Sequence, residues 1–244
     1  MKGMTGANGS PPVPLFIRPV ASHTDDVHPA RACLLALLVL GAAGCDDSEP
    51  PRAHAASQAE TPAVWPPRVG EPYPDLHLVD QTGHVTPLSA FKGHVLLVEM
   101  IGMTCPACQG FSGAKRDGTF GGVGSDGGLP SIDELLPQYA RGVKLPNDDL
   151  ILVQILLFDM KMGAPTADDA RAWAAHFHRD AAKHQYVLAG GPALHNDASY
   201  VMVPGFQLVD RKFVLRWDAT GHTPRHNLYT ELLPAIPSIL EEHS

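Results

Sequence analysis

The chain is short of cysteine, of aromatic residues and of positive charge. Four cysteines in 244 residues rule out a disulfide-dense secreted scaffold, and a chain of this length buries enough surface to fold without such staples. Eighteen Lys and Arg stand against 26 Asp and Glu, a formal net charge of −8, and an acidic surface repels the phosphates of nucleic acid. No apolar run reaches the roughly 18 residues of a spanning helix, which excludes a polytopic membrane protein. Glycine and proline are abundant, at 23 each; they argue against a purely helical bundle and give loops a large share of the chain. Length and composition together fit one domain with appendages.

The one strongly apolar stretch, Ala32–Gly44 (ACLLALLVLGAAG), follows Arg31 and ends at Cys45. It is short for a span and suits the core of a signal peptide. Ala42, Ala43 and Gly44 directly before a cysteine resemble the lipobox of bacterial lipoproteins, which implies lipidation of Cys45 as the mature N-terminus; an ordinary secretory signal cleaved nearby is the alternative. The expected organisation is a signal peptide over 1–44, a tether rich in Pro, Ala and Ser over 45–68, and a domain over 69–244. Lipid on Cys45 would hold the protein at a membrane surface, on the periplasmic side of a bacterial cell envelope.

Cys33 would leave with such a signal and Cys45 would carry lipid, so the domain retains Cys105 and Cys108 in the sequence Cys-Pro-Ala-Cys. Two cysteines three apart close too small a loop to stabilise much by chain entropy. In an exported, oxidising setting the pair therefore reads as redox-active or metal-binding.

From Val69 onward strand and helix signals alternate without an internal repeat. Asp75–Asp80 and Val85–Pro87 flank Gln81-Thr82-Gly83 and predict a hairpin. His94–Met100 (HVLLVEM) lies between Gly93 and Gly102 and suits a buried central strand. A helix is predicted from Cys105 to about Arg116, then a flexible glycine-rich excursion over Asp117–Gly128. Ser131 and Glu134 carry a capping-box signature for a short helix to about Ala140. Asp149–Phe158 is a second buried strand, and Thr166 caps a helix to about Lys183 with Asp168 and Asp169 in its first turn. Strand, helix, strand, helix predicts a parallel unit. After Val203-Pro204-Gly205, Phe206–Val209 and Phe213–Trp217 flank a turn as an antiparallel hairpin. His226–Glu242 is a closing helix, distorted by Pro234 and Pro237.

Cys105 stands at a predicted helix N-terminus, where amides without intrahelical partners and the helix dipole favour a thiolate. That makes Cys105 the attacking sulfur. Pro106 in the first turn gives up an amide that has no intrahelical partner. Cys108, three residues on, shares the helix face and can resolve a mixed disulfide. Glu99, in an apolar strand, would have a raised pKa in low dielectric and so could accept the Cys108 proton and return it.

The order strand, C-x-x-C at a helix start, helix, strand, helix, proline, hairpin and helix resembles the thioredoxin fold over about Val69–Glu242. Glu71-Pro72-Tyr73-Pro74-Asp75-Leu76 and Leu88-Ser89-Ala90-Phe91-Lys92-Gly93 resemble the TlpA/ResA-type redoxins of bacterial envelopes. The resemblance implies an α/β thioredoxin-like fold, a central mixed β-sheet flanked by helices. It would carry an N-terminal β-hairpin extension and an insertion, 117–149, after the first active-site helix. It places Glu99, six residues before Cys105, at the position of a buried acid, and Val203-Pro204 in a cis-proline loop facing the cysteines. The backbone around Val203, beside Pro106, would then meet an extended substrate segment. The implied activity is a membrane-tethered thiol–disulfide oxidoreductase that reduces protein disulfides and exchanges with a membrane thiol donor or acceptor. It calls for no cofactor and no metal.

A copper chaperone is the alternative, because Gly102-Met103-Thr104-Cys105-Pro106-Ala107-Cys108 matches the G-M-T-C-x-x-C motif of heavy-metal-associated domains, where two thiolates hold Cu(I). The second strand–helix unit and Val203-Pro204 fit a redoxin better. A peroxiredoxin would need P-x-x-x-T/S-x-x-C, which neither cysteine supplies. Of the 13 histidines, His195 is singled out because its loop precedes Pro204 and could approach the cysteines. His84, His94, His176, His178, His184, His222 and His226 read as surface or packing residues, and Trp173 with Phe177 as core.

Overall fold

The computed structural model describes residues 64–124 and 128–242. The signal peptide, most of the tether and the lipidation site Cys45 lie outside the described residues. The chain runs through β1 (His77–Asp80), β2 (Val85–Pro87), β3 (Val95–Gly102), α1 (Pro106–Ser112), α2 (Ala114–Asp117) and α3 (Ile132–Tyr139). It continues through β4 (Leu150–Phe158), α4 (Ala167–His176), β5 (Gln185–Ala189), α5 (Gly191–Leu194) and α6 (Asp197–Tyr200). Strands β6 (Gly205–Val209) and β7 (Leu215–Thr220) and helix α7 (Leu233–Glu241) complete it.

The seven strands form one open sheet in the order β2-β1-β5-β4-β3-β6-β7. Strands β3, β4 and β5 are parallel, while β6 runs antiparallel to β3, β7 to β6, and β1 to both β2 and β5. A parallel trio wound with helices, followed by an antiparallel hairpin and a closing helix, is the thioredoxin-like arrangement, and the β1–β2 hairpin extends its far edge.

The continuous apolar runs of β3 and β4 are buried along their whole length, as strands covered on both faces require. Side chains alternate between two layers. Leu96, Val98 and Met100 meet Tyr73, Phe91, Phe213 and Leu215 on one face. Val95 and Leu97 meet Leu135 and Leu136 of α3 and Leu233 and Ile236 of α7 on the other. Glu99 shares the parity of Val95 and Leu97, so its carboxyl lies under the helices rather than at a wet edge.

Several boundaries differ from the sequence expectation, each for a local reason. The first helix stops at Ser112 because Gly113, at φ +124, breaks it before α2. Helix α4 ends at His176 rather than Lys183, and the residues beyond it lead into β5. The sequence pattern does not reveal that strand: its five residues, QYVLA, follow directly on a helical pattern. Phe213 sits in the turn with φ 65, so β7 starts at Leu215. The closing helix opens with a π turn over Leu228–Leu232 and becomes α-helical from Leu233. Within 117–149, α3 carries its capping box and buries Ile132, Leu135 and Leu136 against the sheet. The start of the excursion read as flexible is docked: Gln109 accepts the Phe120 N–H at 2.8 Å and donates to the Met103 carbonyl at 2.7 Å.

Candidate active site

Strand β3 ends at Gly102, and Cys105 takes the N-cap of α1 with extended backbone, φ −77 and ψ 119. Its Sγ accepts the N–H of Cys108 at 3.3 Å, the interaction a capping side chain supplies. Pro106 follows in the first turn, where its missing N–H leaves no bond unmade. Both cysteines are thiols; Cys105 is half-buried and Cys108 fully buried. Only Cys105 is therefore open to an incoming disulfide. The Cys108 thiol donates to the Met100 carbonyl at 3.8 Å, on the strand that carries Glu99. Burial first, then its contact with Cys105 and the charges of Cys105 and Glu99, hold the Cys108 thiol well above its ordinary pKa.

Glu99 is 1% exposed. Its neighbour in the parallel register, Gln154 of β4, donates Nε2 to Glu99 Oε2 at 2.7 Å and to Ser112 Oγ at 3.1 Å. Burial pushes the Glu99 pKa up to about 8; the Gln154 hydrogen bond and Arg179 oppose the rise, and Cys105 and Asp133 add to it. Arg179, itself buried, donates Nη1 to both Asp133 oxygens at 3.2 and 3.0 Å and Nη2 to the Ser112 carbonyl at 3.0 Å. The carboxyl beneath the cysteines is thus held by the neutral Gln154 amide, itself anchored on the Ser112 hydroxyl, with a compensated ion pair beyond them.

A cleft of about 490 Å³ opens beside Cys105, lined by Gly102, Thr104, Pro106, Phe158, Met162, Tyr200, Val201, Val203, Pro204, His222 and Thr223. Its rim is apolar and open, with Met162, Tyr200 and Val201 all exposed. The Val203–Pro204 peptide is cis. Gly205 after it touches β7 so closely that a Cβ would lie 2.2 Å from Thr220 Cα. Thr104 Oγ1 donates to Met162 Sδ at 3.2 Å.

The structure brings Cys105, Pro106, Val203 and Pro204 to one cleft and sets Cys108 and Glu99 beneath it. His195 is not among the lining residues: its ring nitrogen meets the Met162 carbonyl at 2.9 Å, and its ring packs against Phe158, so it braces the wall. His222, read as a surface residue, lines the cleft. Among the described residues no group of three or more His, Cys, Asp or Glu is arranged to hold a metal ion. Trp173 and Phe177 are core, with ring centroids 4.7 Å apart. Gln154, Met162, Tyr200 and Val201 were not foreseen. Only Gln154 left a signal, a lone amide inside LILVQILLF.

No family model matches the chain, and no curated protein sequence does. Solved structures are similar at low identity. A candidate electron transfer protein from Aquifex aeolicus VF5 is 14% identical with a TM-score of 0.47, over 72% of this chain and 99% of that one. A thiol:disulfide interchange protein from a Bacteroides species is 16% identical with a TM-score of 0.42, over 72% and 91%. BsSco, of the Sco family of cytochrome c oxidase assembly proteins, is 14% identical with a TM-score of 0.45, over 70% and 95%. Likenesses of this order bear on neither substrate nor mechanism, which rest on the geometry of the cleft.

Proposed function

We propose that the protein is a thiol–disulfide oxidoreductase of the bacterial cell envelope, tethered to a membrane by lipid on Cys45, that reduces protein disulfides with its Cys105/Cys108 dithiol. One observation carries the proposal: a half-buried Cys105 accepts an amide N–H at a helix N-cap, while Cys108 and a carboxyl lie buried directly behind it. An accepted N–H stabilises sulfur as thiolate.

The Cys105 thiolate attacks one sulfur of a substrate disulfide, forming an S–S bond and expelling the other sulfur as thiolate. The backbone at Val203 and Pro204 aligns the substrate segment. Cys108 then loses its proton to the Glu99 carboxylate, bonds to Cys105, and the second substrate sulfur leaves as thiolate. Two electrons pass to the substrate, and the Cys105–Cys108 disulfide is reduced again by a membrane thiol donor. Glu99 is tuned for this order of events. The charge on Cys105 raises its pKa, and forming the mixed disulfide removes that charge, so the carboxyl ionises more readily at the step that needs a base.

The test is the reduction potential of the pair in the purified protein, read by alkylation-dependent mobility across thiol–disulfide buffers, with and without Cu(I). A reversible two-electron transition at or below roughly −200 mV, unmoved by copper, supports a reductase. A much higher potential reverses the direction, and a pair that binds Cu(I) tightly without exchanging overturns the enzyme in favour of a chaperone.

A further inference from the structure

Strand β4 carries a single polar side chain in its nine buried residues, Gln154, which is 0% exposed. An amide in a dry core is costly where its groups go unpaired, and this one is only half satisfied. Its Nε2 donates to Glu99 Oε2 and Ser112 Oγ, while Gln154 Oε1 and Glu99 Oε1 are both buried without a partner. An aliphatic residue would spare Oε1 but leave the Glu99 carboxyl and the Ser112 hydroxyl without their shared donor, so the amide belongs with the buried acid rather than with the packing of the strand.

The parallel register puts Gln154 beside Glu99 on the face that packs under α1. Ser112 stands four residues after Cys108 on the same helix face, and its carbonyl is fixed by Arg179 Nη2. The amide therefore bridges three elements, the strand of the carboxyl, its neighbour, and the helix of the resolving cysteine.

We propose that Gln154 is a positioning residue for the proton step: anchored on Ser112, it clamps Glu99 Oε2 and leaves Oε1 as the one oxygen able to take and return the Cys108 proton. The inference rests on the dithiol exchange proposed above. In that exchange the proton moves from Cys108 Sγ to Glu99 Oε1 while the Cys108–Cys105 bond forms and the Cys105–substrate bond breaks. The charged and titratable groups facing Glu99 are Cys105 and Cys108 from α1, Arg179 beyond α4 and Asp133 from α3. Arg179 and Asp133 pair with each other, which leaves Gln154 as the direct contact. A donor to the anion favours ionisation, so removing it pushes the Glu99 titration up.

The test uses the full chain in its reduced form and 5,5′-dithiobis(2-nitrobenzoate) as the disulfide probe. Attack by Cys105 releases the first coloured thiolate and resolution by Cys108 the second, so stopped-flow absorbance from pH 6 to 10 times the two steps separately. Gln154→Met keeps the volume and removes the donor. The expected result is a roughly ten-fold fall at pH 7 in the ratio of second to first rate constants, with the alkaline rise of the second phase moved up by about one pH unit. Ser112→Ala, which frees the anchor and leaves the amide, lowers the ratio by a smaller factor and stands in if Gln154→Met fails to fold. A second phase with the parent's ratio and pH midpoint in both variants overturns the assignment. A parent protein that never releases a second thiolate overturns the exchange reading itself, and the two failures are distinguishable.

Discussion

Trp65 donates its indole N–H to Ser199 Oγ at 2.9 Å, and Ser199 directly precedes Tyr200 and Val201, which wall the cleft. The indole also packs against the cluster that contains Leu194 and Met202. The packed domain thus begins inside the stretch read as tether, ahead of Val69. Trp65→Phe retains the ring and leaves the buried Ser199 hydroxyl without this donor, an expected loss of about 1 kcal/mol. Trp65→Ala removes the packing as well, for a total of about 2–3 kcal/mol in a half-buried site. Denaturant midpoints rank the two variants, and equal midpoints for both and the parent would remove Trp65 from the wall's support.

Glu99 links stability to pH. Its folded pKa, about 8, lies above the ordinary 4.5, so the folded protein holds a proton that the unfolded chain has lost. The contribution is fully present below 4.5 and is lost as pH rises to about 8. At about 1.4 kcal/mol per pH unit, the interval amounts to on the order of 5 kcal/mol. Glu99→Gln cannot ionise and is expected to flatten this decline, standing above the parent at pH 9 while resolving mixed disulfides on the order of 10²-fold more slowly. Parallel stability curves from pH 5 to 9 would contradict the buried carboxyl.

Gly205 is set by contact rather than by dihedral freedom, since a Cβ there would meet backbone on both Thr220 and Ala219, at 2.2 and 2.8 Å. Gly205→Ala must push β7 away from the cis-proline loop. The expected cost is about 2–3 kcal/mol, and reduction of a protein disulfide should fall more than reduction of a small one, because only the former leans on Val203 and Pro204. A uniform loss for both substrates would indicate general destabilisation instead.

The parts of this fold written in long apolar runs were legible: HVLLVEM and DLILVQILLF became the two central strands, and Cys-Pro-Ala-Cys became a helix start because capping chemistry is local. Glu99 was legible for the same reason, as an acid inside an apolar strand. Strand β5 was not, since Gln185–Ala189 becomes a strand by pairing with β4, a contact that no local pattern encodes. The cleft wall was hidden as well. Met162 comes from the turn after β4, and Tyr200 and Val201 from the end of α6, and exposed apolar residues so far apart in a sequence carry no mark of converging.

The asymmetry between the two sulfurs gives the sharpest test of the mechanism. Cys105 faces the cleft and Cys108 is buried with its thiol held protonated, so the two cysteines are expected to fail differently. Cys108→Ser keeps the attack and loses resolution, and should accumulate a mixed disulfide with protein substrates that is visible on non-reducing gels and released by dithiothreitol. Cys105→Ser leaves a thiol that substrate cannot reach, and should trap nothing. In the parent, alkylation by iodoacetamide should go to Cys105 at neutral pH, with Cys108 protected until the protein is denatured. Peptide mapping after labelling decides the matter, and a mixed disulfide trapped through Cys108 would reverse the assigned roles.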